Sequence, residues 1–308
     1  MGLSTASAAT PAAHVLAWWV ASDIREERDE LPWRRPGMSP WGILVSETML
    51  AQTQVRRVAE RFPAFMERYR SPDVLADDPL GEVLQIWQGL GYPRRALNLQ
   101  RCAALLVARH AGEVPDDLGS LLALPGVGRY TARAVLAFAF DEPTMPIDTN
   151  IGRVLARLGG SSLREGEAQA MGDALVAGAE AAGGGREPAL AFMDLGAMLC
   201  RPVDPRCPEC PLHSSCVWGR ARLAAGGRVP PDPATGSARV SRPQARFDGS
   251  DRQGRGRLLR AAASAPFAAA DLAHIAGWPD DPARSERVAA SLVEDGLLTF
   301  DETCYRLP

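Results

Sequence analysis

Lysine is absent from this chain: all 34 basic residues among its 308 are arginine. No side chain can therefore form a Schiff base with an aldehyde or an opened sugar, because that step needs an amine able to give up its proton. Only the N-terminal amine is left for such chemistry. Also missing is any apolar run near the ~20 residues that span a bilayer. The start, MGLSTASAATPAAHV, lacks the basic and apolar stretches of a secretory signal. These absences predict a cytoplasmic protein with no membrane partner. Surplus positive charge is lacking too. The net charge is -3, so bulk electrostatics gives no argument for nucleic-acid binding. What is present is ordinary for a folded protein: 46% hydrophobic and 23% charged residues, which excludes disordered, collagen-like and coiled-coil chains. The length predicts about two domains at roughly 150 residues each.

Cysteine is scarce but concentrated. Of six, Cys200, Cys207, Cys210 and Cys216 are spaced C-x6-C-x2-C-x5-C, while Cys102 and Cys304 stand alone as ordinary thiols. In a chain without a secretion signal such a cluster favours a metal over disulfides. Two groups fit four thiolates: a tetrahedral zinc, and the larger [4Fe–4S] cluster, which suits the wider gaps.

Apolar spacing predicts helices over 12–29, 41–69, 73–87 and 94–110, then helix, glycine turn and helix across LGSLLALPGVGRYTARAVLAFAF. Further helices are expected over 150–158 and 188–200. No alternating strand pattern occurs before residue 290, so the fold class is all-α. Residues 223–250, rich in Pro, Gly, Ser and Arg, read as a linker. After it, 251–297 carries three short helical patterns and LLTFDETCYRL reads as a hairpin, a combination that resembles a winged helix and equally suits a small packing module.

Three places carry chemistry. In LPGVGRYTARAV, Gly126 and Gly128 allow a tight turn that points backbone N–H groups at a phosphate from the start of a helix, with Arg129 and Arg133 beside it. This is the helix–hairpin–helix pattern, which grips a DNA backbone without reading its sequence. Glu47 shares an apolar helix face with Leu44 and Leu50. It is either a solvated surface glutamate or an acid whose pKa an apolar pocket raises for proton donation. Asp148, in PIDTNIGRV, is placed to cap a helix, and the helix dipole would keep it ionised.

SETMLAQTQV, WQGLGYPRRA, LPGVGRYTA, the Asp-x-Asn of IDTN and the cysteine cluster follow the order of the endonuclease III superfamily. Within it, the chain resembles the adenine-specific mismatch DNA glycosylases (the MutY family) over roughly residues 14–220. The resemblance implies an all-α helix–hairpin–helix glycosylase: a six-helix barrel at 36–140, an iron–sulfur domain from 10–35 and 141–222, and the small module at 251–308. It implies a [4Fe–4S] cofactor on the four clustered cysteines. It makes Glu47 the acid that protonates the adenine leaving group and Asp148 the carboxylate that stabilises the sugar cation, supported by Asn150. Tyr130 stands where bifunctional relatives carry a Schiff-base lysine, which implies base removal without lysine-driven strand cleavage. DNA contact falls to Gln52, Thr53, Tyr92, Gly126, Gly128 and Arg129, with Gln52 and Tyr92 matching residues that wedge into the stack beside a flipped base. The partner implied is double-stranded DNA with a mismatched or oxidised pair, met by a monomer at the nucleoid.

The sequence departs from that family in four places. Its Gln-Gln pair is Ala51-Gln52 here, the second tyrosine of GLGYY is Pro93, and Leu190 replaces a Glu or Gln able to bond adenine. No Nudix-like domain that reads 8-oxoguanine is recognisable in the sequence, so the opposite-base preference between 8-oxoguanine and guanine stays open. Two other functions stay open as well: a thymine or uracil mismatch glycosylase of the same fold, and a non-catalytic DNA-binding protein.

Overall fold

Proline opens several helices of this chain, because it lacks the N–H that a first helical turn leaves unbonded anyway. Pro11 begins α1 (Pro11–Val20), Pro40 begins α3 (Pro40–Leu50) and Pro72 begins α5 (Pro72–Asp77). A computed structural model describes residues 10–179, 184–225, 230–238, 240 and 246–308. The remaining helices are α2 (Asp23–Asp29), α4 (Val55–Arg68), α6 (Leu80–Ile86), α7 (Arg94–His110), α8 (Leu118–Leu122), α9 (Arg129–Phe140), α10 (Thr149–Gly159), α11 (Glu165–Ala177), α12 (Arg186–Met198), α13 (Val217–Ala224), α14 (Asp251–Ser264), α15 (Leu272–Ala276) and α16 (Pro282–Glu294). The fold is all-α apart from three short strands among the described residues: β1 (Phe267–Ala268), β2 (Thr299–Phe300) and β3 (Cys304–Arg306).

Three expected helices are each two. The 12–29 pattern breaks between α1 and α2, where Ser22 is extended. The 41–69 pattern breaks after α3, where Gln52 adopts a left-handed φ of 60°. The 73–87 pattern breaks at Asp78, which the following proline holds in an extended conformation. Helices α11 and α13 were not anticipated, since their Ala- and Gly-rich or Arg-rich sequences carry no clear apolar stripe.

The chain forms two units. The first contains the described residues of Met1–Ile43, Asp116–Leu122 and Val127–Arg242. Its centre is α12, which packs on α10, α1 and α9 through Phe192 and Leu195, against Val15, Trp19 and Val154 among others. At the middle of α12 sits Asp194, fully buried. Arg34 grips both its oxygens at 2.7 and 2.8 Å, Arg28 donates at 3.2 Å and the Trp19 indole at 3.0 Å. Every lone-pair direction of this buried charge is answered, the condition under which burying it is tolerable. Part of the expected linker also packs here. Asp232 pairs with Arg157 at 2.6 Å, and Leu163 exchanges bonds with Ala238 (2.8 Å) and the Ser237 hydroxyl (3.1 Å). Such side-chain and main-chain bonds hold a turn-rich Pro-containing segment without apolar periodicity. Residues 226–229, 239 and 241–245 of that stretch lie outside the described residues.

The second unit contains Leu44–Pro115, Ala123–Gly126 and the described residues of Pro243–Pro308. Helix α7 packs on α5 and α6, burying Leu99 and Leu106 with Leu75 and Val83. The C-terminal part runs α14–β1–α15–α16–β2–β3, with an antiparallel sheet in the order β1-β3-β2. The hairpin read from LLTFDETCYRL is β2–β3; β1 is an addition. Tyr305 stacks between Phe267 and Phe300 across the sheet, at 5.5 and 4.4 Å. The chain end docks on α6: the Gly81 N–H donates to the Pro308 carbonyl at 3.1 Å, so close that a Cβ at 81 would meet that oxygen at 2.7 Å. Among the described residues no helix is long and apolar enough to cross a membrane.

Candidate active site

Asp148, Asn150, Gly128, Arg129, Tyr130 and the four clustered cysteines belong to the first unit; Glu47, Gln52, Thr53, Tyr92 and Gly126 belong to the second. Asp148 caps α10. Its extended backbone lets one carboxylate oxygen accept from the Ile151 N–H at 2.7 Å, while the other accepts from the Asn150 amide at 2.9 Å. Burial pushes the Asp148 pKa above its usual value, and the bonds from Ile151 and Asn150, with the charge of Arg153, pull it back only in part. The helix start alone does not decide its ionisation.

The support continues behind Asn150. Its carbonyl oxygen accepts from Arg153 at 2.9 Å, and Arg153 also donates to the carbonyls of Gly196 (2.7 Å) and Cys200 (2.6 Å). Gly196 on α12 is what lets this approach happen, since a Cβ there would lie 2.7 Å from that of Asn150. Sequence reading missed both Arg153 and Gly196. Arg153 follows IDTN by one helical turn, which is the signal that could have found it.

Glu47 is 4% exposed, on the helix that buries Leu44, Val45 and Met49. It is a buried acid and not a surface one. The end of α3 and the loop before α7 are joined by Arg95. Its guanidinium donates to the carbonyls of Thr48 (2.7 Å), Met49 (2.8 Å), Leu90 (3.0 Å) and Gly91 (3.0 Å) and to the Thr53 hydroxyl (2.8 Å). It thereby satisfies last-turn carbonyls that α3 leaves open. Burial pulls Arg95 down to about 10. The two expected wedge residues sit on these loops, and both are left-handed: Gln52 at φ 60° and Tyr92 at φ 48°. Non-glycine residues in that region carry strain that the surroundings must hold, and such strain gathers at functional sites. Gln52 is exposed and Tyr92 half-buried. Arg95, one arginine among many, was also missed by sequence reading.

The glycine turn lies between α8 and α9. Gly126 takes φ 78°, and a Cβ on it would meet Asn98 at 2.9 Å. Gly128 caps α9, whose first residues are Arg129, exposed, and Tyr130, half-buried. One turn on, the buried Nε of Arg133 has no hydrogen-bond partner among the described residues.

None of the four clustered cysteines is in a disulfide. Arg157 donates to the Cys200 sulfur at 3.4 Å, and the Gly219 N–H to the Cys216 sulfur at 3.3 Å. Burial pushes the thiols of Cys207, Cys210 and Cys216 up, Cys210 to about 12, and each of these three also senses the charge of Cys200. The same burial pushes the isolated Cys102 thiol up to about 12, so these shifts report packing. Among the described residues no three His, Cys, Asp or Glu side chains are grouped to hold a single ion.

The chain matches the HhH-GPD superfamily of base excision DNA repair proteins over residues 45–176. The adenine DNA glycosylase of Mycobacterium tuberculosis is 40% identical over 295 residues, covering 93% of this chain and 89% of its own. That of Mycolicibacterium smegmatis is 39% identical, covering 88% of each, and that of Homo sapiens is 35% identical over 66% of this chain and 38% of the human protein. Among solved structures, a thermostable thymine-DNA glycosylase superposes with a TM-score of 0.61 at 26% identity, over 68% of this chain and 95% of that one. A trapped endonuclease III–DNA covalent intermediate gives 0.56 at 28%, over 65% and 94%. Identity sustained across nearly the whole length shows that the chain belongs to the adenine DNA glycosylase family, within the HhH-GPD superfamily.

Proposed function

We propose that this protein hydrolyses the N-glycosidic bond of adenine mispaired with 8-oxoguanine or guanine in duplex DNA, in base excision repair, and does not itself cut the strand. The observation that carries this reading is the setting of Asp148. Two directed donors meet its carboxylate at the start of α10 and fix its orientation. Glu47, buried among apolar side chains, is the proton donor. In that division of labour Glu47 protonates a ring nitrogen of adenine as the C1′–N9 bond breaks, and the bonding electrons leave with the base. Asp148 faces the positive charge that develops on the sugar, held in place by Asn150. A water oxygen then bonds to C1′, and its proton passes to a carboxylate. The hairpin with Gly126, Gly128 and Arg129 takes a backbone phosphate. Gln52 and Tyr92 enter the stack beside the flipped base, and Thr53 contacts the DNA next to them.

Cys200, Cys207, Cys210 and Cys216 would hold a [4Fe–4S] cluster. Their four free thiols and the N–H donors aimed at Cys200 and Cys216 suit thiolate ligands to such a group. When bound, the cluster supplies a fixed cross-link for the loop between Cys207 and Cys216, and none of the steps above runs through it.

Tyr130 cannot form an imine, and no lysine is present to do so. Duplexes carrying A:8-oxoguanine, A:G, T:G and U:G pairs separate the readings. Breaks are expected at the first two, and only after alkali, with little protein trapped by borohydride. Release confined to T:G or U:G would select the thymine or uracil alternative; release from none would leave a binding protein. Tyr130→Lys should create trapping where the wild type shows little.

A further inference from the structure

The C-terminal module reaches back to one of the residues expected to enter the DNA stack. Arg252, in the first turn of α14, donates from Nη1 to the Tyr92 hydroxyl at 3.1 Å, across 160 positions of sequence. The same guanidinium lies over the Phe247 ring, 5.2 Å from its centroid, and Phe247 is 50% exposed. On another side Tyr92 is covered by Arg95, 5.4 Å from the ring centroid. Tyr92 is thus held at its left-handed φ between a guanidinium of α7 and one of α14. The module is not loosely tethered where this happens. Arg94 pairs with Asp295 at 3.2 Å, α14 packs on α6, and the Pro308 carbonyl is bonded to Gly81.

We propose that Arg252 is a positioning residue for Tyr92 during base flipping, and that Phe247 beside it offers duplex DNA a stacking face, so that α14 belongs to the DNA-opening apparatus. The inference rests on the reading of the chain as an adenine glycosylase. A side chain driven into a base stack meets a restoring push from the bases it separates. A ring fixed at its hydroxyl and over its face resists that push better than one free to rotate. The exposed aromatic beside a cation is also the composition of a single-strand stacking surface, where rings take unpaired bases without regard to sequence.

The test uses the full, cluster-loaded chain and a duplex with 2-aminopurine next to a mispaired adenine, whose fluorescence rises as the stack opens. Arg252→Met keeps the aliphatic stem and removes the donor; Tyr92→Phe removes the acceptor. Each is expected to slow opening and single-turnover excision about 3- to 10-fold, the range for one hydrogen bond, with melting temperature unchanged. The double variant should be no slower than either single one, because both remove the same bond. Arg252→Lys should restore part of the loss. Phe247→Ala should raise the dissociation constant for the duplex by about 5-fold or more. Opening at the wild-type rate in Arg252→Met, or additive losses in the double variant, would overturn the role of Arg252, and unchanged affinity in Phe247→Ala the stacking face. Should Arg252→Met melt lower, Tyr92→Phe decides alone: opening at the wild-type rate refutes the proposal. A wild type that releases no adenine defeats the glycosylase reading instead, whereas one that releases adenine no faster than its variants defeats only this inference.

Discussion

Asp148 needs its charge in a place that favours its proton. Burial raises its pKa above the ordinary 3.8, and catalysis in the proposed scheme requires the ionised form. The rate should therefore climb with pH through a midpoint above 3.8, and a single-turnover pH profile would show that limb. Asp148→Asn should remove it and slow excision by about 10²–10³-fold, the worth of a preorganised electrostatic contact. Stability runs the opposite way. A carboxyl whose folded pKa is raised binds its proton more tightly in the fold, so its contribution is present at low pH and lost as pH rises through the folded pKa. At neutral pH Asp148→Asn should melt no lower than wild type, since asparagine caps a helix as well as aspartate. A variant that loses rate and stability together would make Asp148 mainly a cap. This residue was legible in the sequence as a cap, because an aspartate just before a helical pattern marks that position. Its environment was not, since burial comes from packing that no local pattern records.

Helix α12 shows what an element can hide. Its sequence, REPALAFMDLGAM, reads as apolar with one polar interruption, and that interruption, Asp194, anchors the N-terminal segment through Trp19, Arg28 and Arg34. Asp194→Ala would strand the buried Arg34 without its partner. A loss of about 3–5 kcal/mol in urea unfolding is expected, and a loss under about 1 kcal/mol would mean the site relaxes around the vacancy. Helix α7 was legible to the residue, as its Arg94–His110 span matches an unbroken apolar stripe. The break between α3 and α4 was not, because Ala51-Gln52-Thr53-Gln54 contains neither glycine nor proline, and the bend is imposed by Arg95 drawing two loops onto itself. The hairpin helices were legible for the opposite reason: Gly126 supplies a positive φ that few other residues adopt.

For the molecule as a whole, the all-α fold expected from apolar spacing holds, while the grouping of its segments had no local signature. Residues from both ends of the chain join units with residues from its middle, and partners far apart in sequence leave no periodic mark. The four clustered cysteines lie close in sequence, and the proposed cluster on them has a direct test. Purified protein should be brown, with about four iron and four sulfide per chain and little zinc. One zinc and no visible absorption would replace the cluster with a tetrahedral thiolate site. Removal of iron should loosen Arg157, whose bonds join the Cys200 sulfur, the Arg201 carbonyl and Asp232.

The pairing of Arg34 with Asp194 sets a schedule for the growing chain. The two lie 160 residues apart, so at roughly 5–20 residues per second the ribosome delivers the carboxylate about 8–30 s after the guanidinium. During that interval Trp19, Arg28 and Arg34 have no acceptor to close on, and the N-terminal segment waits unfinished beside its own emerging middle. A nascent chain halted before residue 194 should leave that segment open to protease, and one released beyond it should not.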